Sequence, residues 1–543
     1  MADRSRLVSQ IQIKVDGNRI GKDTLTKLVE VVVDQNTHLP HMFSIRLADP
    51  GLSLLDHGPF DLTKEVEILA ETADGKQVIL IKGETTALEP EFKEGMNAEL
   101  VLRGYDKTHR LHREVRSRTF LNVKDSDVAS QIAQDAGVQE AVDATTTVYD
   151  HLYQHNQSDL GFLTQRAWRI GYECFLEDDK LYFRKPLTNG ETVTLTWGRD
   201  LLSFMPRMSL AEQVDEVIVK GWDVAKKEPI TGKSQTSSLY PNIEESKNGA
   251  DWARQFGSGK LVIVDQPVVS QEEANTLATA RFNEVCGAFV EAEGQAFRCP
   301  NIRAGRMVTL RGLGERFSGT YLVTGATHVF TSEGLVTRFS VRGARTGLLV
   351  EQMLHRRPIT RWPGVVPAIV TNTKDPNSWG RVKVKFPWMS EEEESDWARV
   401  IGLGAGPNAG LCILPEIDDE VMVSFVHGDF SRPVVLGGVW NGQHHLPDEA
   451  EAAGAEETPL VRTWHSRTGH WIAIYDNADN KIEIVTSGGH KIVLDDQGGQ
   501  VLIESEGDLL IKAKGDLTLE SGGDVELKAD GQVAITGVKI ELN

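Results

Sequence analysis

The sequence predicts a mainly β chain: an α+β N-terminal region, a small OB-type barrel, and a C-terminal triangular β-helix wound from three chains. Three observations carry this expectation. Residues 499–543 repeat every eight positions, residues 361–445 hold five or six short alternating segments, and residues 1–360 mix long strand patterns with a few amphipathic helices. A chain of 543 residues exceeds what one hydrophobic core normally serves, so several domains are expected.

The repeat reads GQVLIESE, GDLLIKAK, GDLTLESG, GDVELKAD and GQVAITGV from Gly499, then KIELN. Gly499, Gly507, Gly515, Gly523 and Gly531 open the units, and Gly tolerates the positive φ of a tight turn. Positions three and five are aliphatic: Val501/Ile503, Leu509/Ile511, Leu517/Leu519, Val525/Leu527 and Val533/Ile535. Position seven is small (Ser505, Ala513, Ser521, Ala529, Gly537). Positions three, five and seven share parity, so in a strand they face one side, the needle core. Less regular pairs, Ile482/Ile484 and Ile492/Leu494, extend the pattern upstream to about eight strands.

A triangular solenoid uses three strands per turn, so one chain makes few turns and leaves both ends open. Burying two aliphatic residues does not offset the entropy of ordering eight. Three chains around one axis remove every edge and complete the core, which predicts a homotrimer. A single-chain solenoid or a sandwich of meanders is the alternative.

Upstream, LPDEAEAAGAEETP is acidic and aperiodic, giving a linker over 446–460 between a 361–445 barrel and a 461–543 needle. Within the barrel, GRVKVKFPW places Val382, Val384, Phe386 and Trp388 on one face. The segments starting at Trp397, Gly410, Asp419 and Arg432 read as further strands. In residues 1–360 a helix after Asp125-Ser126 carries Val128, Ala129, Ile132 and Ala136, with Gly137 as its cap. A second starts near Ser158, turns Leu160, Phe162, Leu163, Ala167 and Trp168 inward, and ends at Gly171. A hairpin follows, Tyr172–Leu176 and Leu181–Arg184. A third helix opens on a Ser270-to-Glu273 capping box and buries Ala274, Leu277, Ala278, Phe282 and Val285. Strands are expected at Ile11–Val15, Val29–Val33, Phe43–Leu47, Thr320–Phe330 and Leu335–Arg342.

The net charge of −21 argues against a nucleic-acid partner. The barrel itself holds 7 Lys and Arg against 11 Asp and Glu, so its OB-type shape does not imply single-strand binding. Cys174, Cys286, Cys299 and Cys412 match neither a zinc site nor a disulfide framework and read as buried thiols of a cytoplasmic product. The polar N-terminus lacks a signal-peptide h-region, and no stretch approaches the roughly 18 apolar residues of a membrane span. No G-x-S-x-G elbow, P-loop or H-E-x-x-H occurs. His444-His445, His38 with His41, and His151 with His155 lack metal-ligand spacing, and Glu391–Glu394 reads as a solvated loop. No catalytic residue, metal or cofactor is expected.

Several segments resemble one family. SDLGFLTQRAWRIGYECFLEDDKLYFRKP (158–186) is similar to the helix–hairpin of contractile-tail spike proteins. AGRMVTLRGLGERFSGTYLVTGATHVFTSEGLVTRFSVRG (304–343) is similar to the closing strands of their hub. GRVKVKFPW, PEIDDEVMVSFVHGD and RPVVLGGVWN resemble the gpV-type OB domain, and the octads resemble the needle. The chain thus resembles VgrG and the hub-and-spike pair of contractile phages along essentially its whole length. The resemblance implies that residues 1–360 form a hub of two tube-like barrels, so that three chains adapt a six-fold inner tube to a three-fold needle. It implies inner-tube and baseplate partners, a PAAR-type tip protein, effector cargo, and only transient contact with a target membrane that the needle punctures. The segment IQIKVDGNRIGKDTLTKLVEVVVDQNTHLPHMFSIRL resembles the spikes of extracellular, phage-tail-like injection systems, with type VI VgrG and phage spikes as alternatives. Such a particle is built in the bacterial cytoplasm and then released. A competing class, a cell-envelope hydrolase on a β stalk, needs two positioned carboxylates and a catalytic domain that these segments leave little room for. An adhesive fibre needs exposed aromatics, and residues 481–543 contain none.

Overall fold

In a computed structural model, residues 11–343 (save 224, 225, 227, 240 and 269), 364–448 (save 388, 390 and 391), 450 and 460–541 are described. They form two compact units, Met1–Val439 and Trp440–Asn543. Strands take 43 % of the chain against 15 % for helices, a mainly β fold.

An antiparallel eleven-stranded sheet organises the first unit. Its order runs from Leu201–Met208 through Val290–Phe297, Gly334–Val341 and Gly325–Thr331 to Leu28–Asn36 and Met42–Ala48, and ends at Ile11–Val15 and Asn18–Arg19. Val32 pairs with Val329, so strands nearly three hundred residues apart close the sheet at its centre. Strict alternation sets the buried face: Ile11, Ile13 and Val15 point inward while Gln12 and Lys14 stay half-exposed. The sheet serves two apolar cores. One gathers Ile13, Val33, Phe43, Ile68 and Leu100; the other gathers Leu195, Phe289, Val308, Tyr321 and Phe339.

The three expected helices form close to their expected bounds. Asp125–Asp135 buries Val128, Ala129 and Ile132, but Ala136 is its C-cap and only half-buried, with Gly137 just beyond at φ +67°. Asp159–Ile170 is capped by Ser158, whose Oγ accepts from Gly161 N at 3.2 Å, and closed by left-handed Gly171. Trp168 is half-buried beneath the Arg281 guanidinium, 3.3 Å from its ring centre. Gln271–Gly287 starts at Ser270, whose Oγ accepts from Glu273 N, and buries the five apolar residues expected of it. It lies so near strand Glu228–Ser234 that a Cβ on Gly232 would meet the Ala274 backbone at 2.3 Å.

Two strand expectations within residues 1–360 change. The single strand foreseen over 320–330 breaks at Val323-Thr324: Gly319–Leu322 joins a four-stranded sheet while Gly325–Thr331 joins the eleven-stranded one. The break lets one segment serve two layers, a tertiary demand that alternation does not encode. The hairpin instead sharpens to Glu173–Glu177 and Lys180–Arg184, turning through Asp178 and Asp179, both at positive φ.

Residues 366–438 form the small barrel with strand order 383–385, 366–372, 420–425, 433–438, 399–400. Val382, Val384 and Phe386 are buried as expected, and Trp388 lies outside the described residues. The strand expected from Gly410 is absent: Leu411, Ile413 and Leu414 lie in an exposed loop. Apolar content alone suggested a strand there, whereas Gly404, Gly410 and Asn408 take positive φ and interrupt the extended backbone.

The buried-thiol expectation also needs correcting. Cys174 and Cys286 are buried, Cys299 is half-buried and Cys412, on the same loop, is exposed; all four are free. Burial pushes the Cys174 and Cys286 thiols up to about 12.

In the second unit, Val461–His465, Trp471–Tyr475, Lys481–Val485, Lys491–Asp495 and Gln500–Glu504 build an antiparallel five-stranded meander. Turn residues tie neighbouring hairpins together, for His470 Nδ1 accepts from Ser487 N and His490 Nδ1 from Glu506 N, each at 3.1 Å. Most of the expected linker, 449 and 451–459, lies outside the described residues.

Candidate interaction surface of the C-terminal unit

The meander has one nearly all-apolar face. Ile472 sits opposite Ile484, Ile474 opposite Ile482, Ile482 opposite Leu494, and Ile492 opposite Ile503. Trp464 extends this face at one edge and Val501 at the other. The opposite face mixes Lys481, Glu483, Lys491 and Asp495 with buried Ala473 and Val493 and half-buried apolar groups, and holds the ion pair Lys491 Nζ–Glu504 Oε2 at 2.6 Å. Among the described residues no second layer covers this face of isoleucines, and an apolar sheet face left uncovered is the kind of surface that partners bury.

The octads continue this surface. All ten aliphatic residues singled out from the repeat, Val501, Ile503, Leu509, Ile511, Leu517, Leu519, Val525, Leu527, Val533 and Ile535, are between 54 and 77 % exposed. One chain therefore brings none of them into a core. Val501 and Ile503 share a face with Ile492 and Leu494, so the parity expected at positions three and five continues the meander's apolar side. From residue 505 to 541 the described chain forms no strand pairs with itself.

The turns behave differently from expectation at four of five glycines. Gly499 takes φ +61°, whereas Gly507, Gly515, Gly523 and Gly531 lie at bends without positive φ. Position seven explains part of the corner. Ser505 Oγ accepts from Gly507 N at 3.3 Å and donates to the Asp508 carbonyl at 3.1 Å. Ser521 repeats both bonds with Gly523 and Asp524, sixteen residues on. Small residues at that position thus include hydrogen-bonding ones that fasten the bend.

Sequence reasoning missed the first two meander strands and their Trp464, Ile472 and Ile474. The legible signal was a ten-residue spacing: strands begin at 461, 471, 481 and 491. Five residues of strand and five of turn reverse the chain each time, so the upstream pattern differs from the octads in kind, not merely in regularity.

The histidines and acidic run found earlier have structural positions. His38 and His41 are both buried, and His41 N donates to Asp106 Oδ2 at 2.9 Å. His151 and His155 lie on strand Val148–Ser158, where the His155 ring centre is 3.8 Å from that of Phe430 and His151 Nε2 is 3.2 Å from the Glu394 carbonyl. Glu393 accepts from Thr119 N at 2.8 Å and Glu394 pairs with Lys383 at 3.1 Å. The acidic run, read as solvated, is thus partly used to dock the barrel onto the hub; Glu391 lies outside the described residues. Among the described residues no group of three His, Cys, Asp or Glu is placed to hold a metal ion. No described helix is long and apolar enough to cross a membrane.

Comparison with known proteins matches these parts in order. Residues 5–332 match the family described as the Alg8 N-terminal domain, and 366–440 match the type VI secretion system/phage-baseplate injector OB domain. Type VI secretion system spike protein VgrG1b of Pseudomonas aeruginosa is 26 % identical over 369 residues, covering 62 % of this chain and 48 % of that protein. VgrG1c of the same organism is 40 % identical over 114 residues, 20 % of this chain and 15 % of that one. The chain thus spans about half the length, or less, of the curated relatives it matches.

Among solved structures, an E. coli type VI secretion component, described as similar to T4 tail proteins gp27 and gp5, superposes with TM-score 0.52 at 14 % identity. It covers 79 % of this chain and 99 % of that one. VgrG in a Francisella PdpA–VgrG complex superposes at 0.51 with 9 % identity, over 92 % and 80 %. Matched along more than half its length by the first family and through its barrel by the second, the chain belongs to the Alg8 N-terminal domain family and is a VgrG-like hub-and-spike protein.

Proposed function

We propose that three copies of this chain form the non-enzymatic central spike and baseplate hub of a contractile injection machine, with residues 461–543 wound together as its needle. The observation that carries the reading is the isoleucine face of the meander continued by ten exposed aliphatic residues at eight-residue spacing. Such a surface is a standing cost to a monomer and becomes a dry core when three copies share an axis. Two apolar cores on one sheet in each chain support the adapter role, since three chains then offer six lobes to a six-fold tube. In this reading inner-tube and baseplate proteins bind the hub, a PAAR-type tip closes the needle, effector cargo travels with the spike, and the target membrane is met only during puncture. The resemblance of segment 11–47 supports the extracellular, phage-tail-like type of machine, with assembly in the cytoplasm before release.

Light scattering on the purified chain tests the core of this reading. The expected mass is three times that of the 60.0 kDa chain. Limited proteolysis should cut within 446–460 first and leave a small trimer resistant to SDS. A stable monomer with an intact C-terminus, or cleavage within 507–535 as fast as in the linker, overturns it.

A further inference from the structure

Nothing in the octad core fixes how far one chain of a needle is shifted against the next. Every unit carries aliphatic residues at positions three and five, so a slip of one whole octad leaves that pattern unchanged. The outward residues do change from unit to unit.

Strand Gln500–Glu504 ends the meander's sheet. On one side it pairs with Lys491–Asp495, where Glu504 stands opposite Lys491 and the two side chains meet at 2.6 Å. Its other side is an open edge, and residues 505–541 of the same chain lay no strand along it. An open edge is a template for a further strand, and an ion pair already beside it favours a cation next to Glu504.

The winding decides which octad arrives there. When three chains share one axis, each octad takes one face and the chain climbs one strand spacing, roughly 4.8 Å, per octad. It returns to the same face after three octads, and strands of the two other chains fill the gap. The strand stacked on any octad is therefore the next octad of a neighbouring chain. A single-chain solenoid instead stacks each octad on the third one along, and unwound chains side by side set each octad against itself.

Position six reads Glu504, Lys512, Glu520, Lys528, and position eight begins Glu506, Lys514. At a shift of one octad, Glu504 meets Lys512, Lys512 meets Glu520, Glu520 meets Lys528 and Glu506 meets Lys514, all opposite in sign. With no shift every charge meets its own kind. At two octads Glu504 meets Glu520 and Lys512 meets Lys528. At three, Glu504 meets Lys528 but Glu506 meets Asp530. Position four agrees, since a shift of one sets Leu510, 83 % exposed in one chain, against Leu502. The aspartates of position two lie in the corners, where the Asp508 and Asp524 carbonyls accept from serines. They are like neighbours at one octad and at two, and do not choose between them.

We infer that neighbouring copies of this chain stack one octad out of step, and that the outward charges of positions six and eight hold this register. The inference rests on the trimeric needle proposed above and names the surface by which its copies recognise each other. Exposed ion pairs add little stability singly; here they make repulsive the slipped registers that the core tolerates.

The test uses the full-length chain in a Cys412→Ser background, which removes the exposed thiol. Facing positions on adjacent strands lie within disulfide reach. Glu504→Cys with Lys512→Cys should, on mild oxidation, give a covalent trimer on a denaturing non-reducing gel. Either substitution alone should give no link, and neither should Glu504→Cys with Glu520→Cys. Lys514→Glu should lower the melting temperature by about 2 °C or more, and adding Glu506→Lys should restore it. Linkage through one cysteine alone, between 504 and 520, or within a single chain overturns the register. No loss with Lys514→Glu, or a loss that Glu506→Lys leaves in place, overturns the role of the charges. Light scattering on the unsubstituted chain separates this inference from the reading beneath it. A trimer without the 504–512 link leaves the spike standing and sinks the register, whereas a monomer sinks both.

Discussion

Arg169 and Glu273 form an ion pair at 2.9 Å in which neither side chain is more than 4 % exposed. The pair joins helix Asp159–Ile170 to the first turn of Gln271–Gly287, and Arg432 of the barrel approaches the same carboxylate. Three parts of the first unit therefore meet on one side chain. A buried pair adds little over an apolar substitute, but breaking one strands a charge.

Glu273→Gln should accordingly destabilise the first unit by about 3 kcal/mol or more, read as a lower urea midpoint at unchanged slope. Replacing exposed Glu272, the neighbouring residue, by Gln should leave the midpoint nearly unmoved. Equal effects of the two would show that the pair does not hold these elements together.

Acid should weaken the hub through His38. Burial pushes its imidazole from 6.5 down to about 4, although Glu284 pulls it upward. The unfolded chain takes up a proton near 6.5 and the folded chain only near 4, so between those values the unfolded state binds more protons. The contribution of His38 is thus complete above pH 6.5 and is lost as pH falls towards 4, at up to about 1.4 kcal/mol per pH unit. His38→Gln should flatten this part of the stability-against-pH curve; an unchanged slope between pH 6.5 and 4 would contradict the burial argument.

How far the sequence foretold this molecule depended on whether the signal was local. Helix Asp159–Ile170 was readable because Ser158 and Gly171 bracket an apolar stripe, and the hairpin after it because Asp178-Asp179 is a turn signal. Of the octads only Val501 and Ile503 lie in a paired strand, and there period two fixed which side chains share a face. The split of 319–331 between two sheets was not readable, since both halves alternate alike and only their partners differ. The docking of Glu393 on Thr119 joins residues 274 positions apart, and charge composition alone suggested a solvated loop. The meander was missed for another reason: its ten-residue spacing was present, but aromatic and polar residues at Trp464, Trp471 and Tyr475 broke the resemblance to the octads.

Corner serines should matter modestly and additively. Ser521 joins Gly523 N to the Asp524 carbonyl, and the equivalent positions Ala513 and Ala529 manage without a hydroxyl. Ser521→Ala should therefore cost the needle about 1 kcal/mol per chain, and Ser505→Ala the same. Calorimetry of the full-length protein measures it. A change several times larger would mean that position seven packs against the axis and does not merely fasten the bend.

Leu517 and Leu519 are 58 and 77 % exposed in one chain, so no contact within that chain explains why the repeat keeps them aliphatic. If three chains close around them, Leu519→Asp places three like charges in a narrow apolar core and should cost several kcal/mol per chain. Thr518→Asp places the same charge one residue away on the opposite face, where it meets water and should cost little. Both variants begin from exposed positions in the monomer, so a monomeric protein would tolerate them equally. Thermal unfolding and light scattering on the two full-length variants therefore read the third dimension of the repeat directly. A large loss for Leu519→Asp with near-neutral Thr518→Asp fits the wound needle, and equal behaviour rules out the shared core.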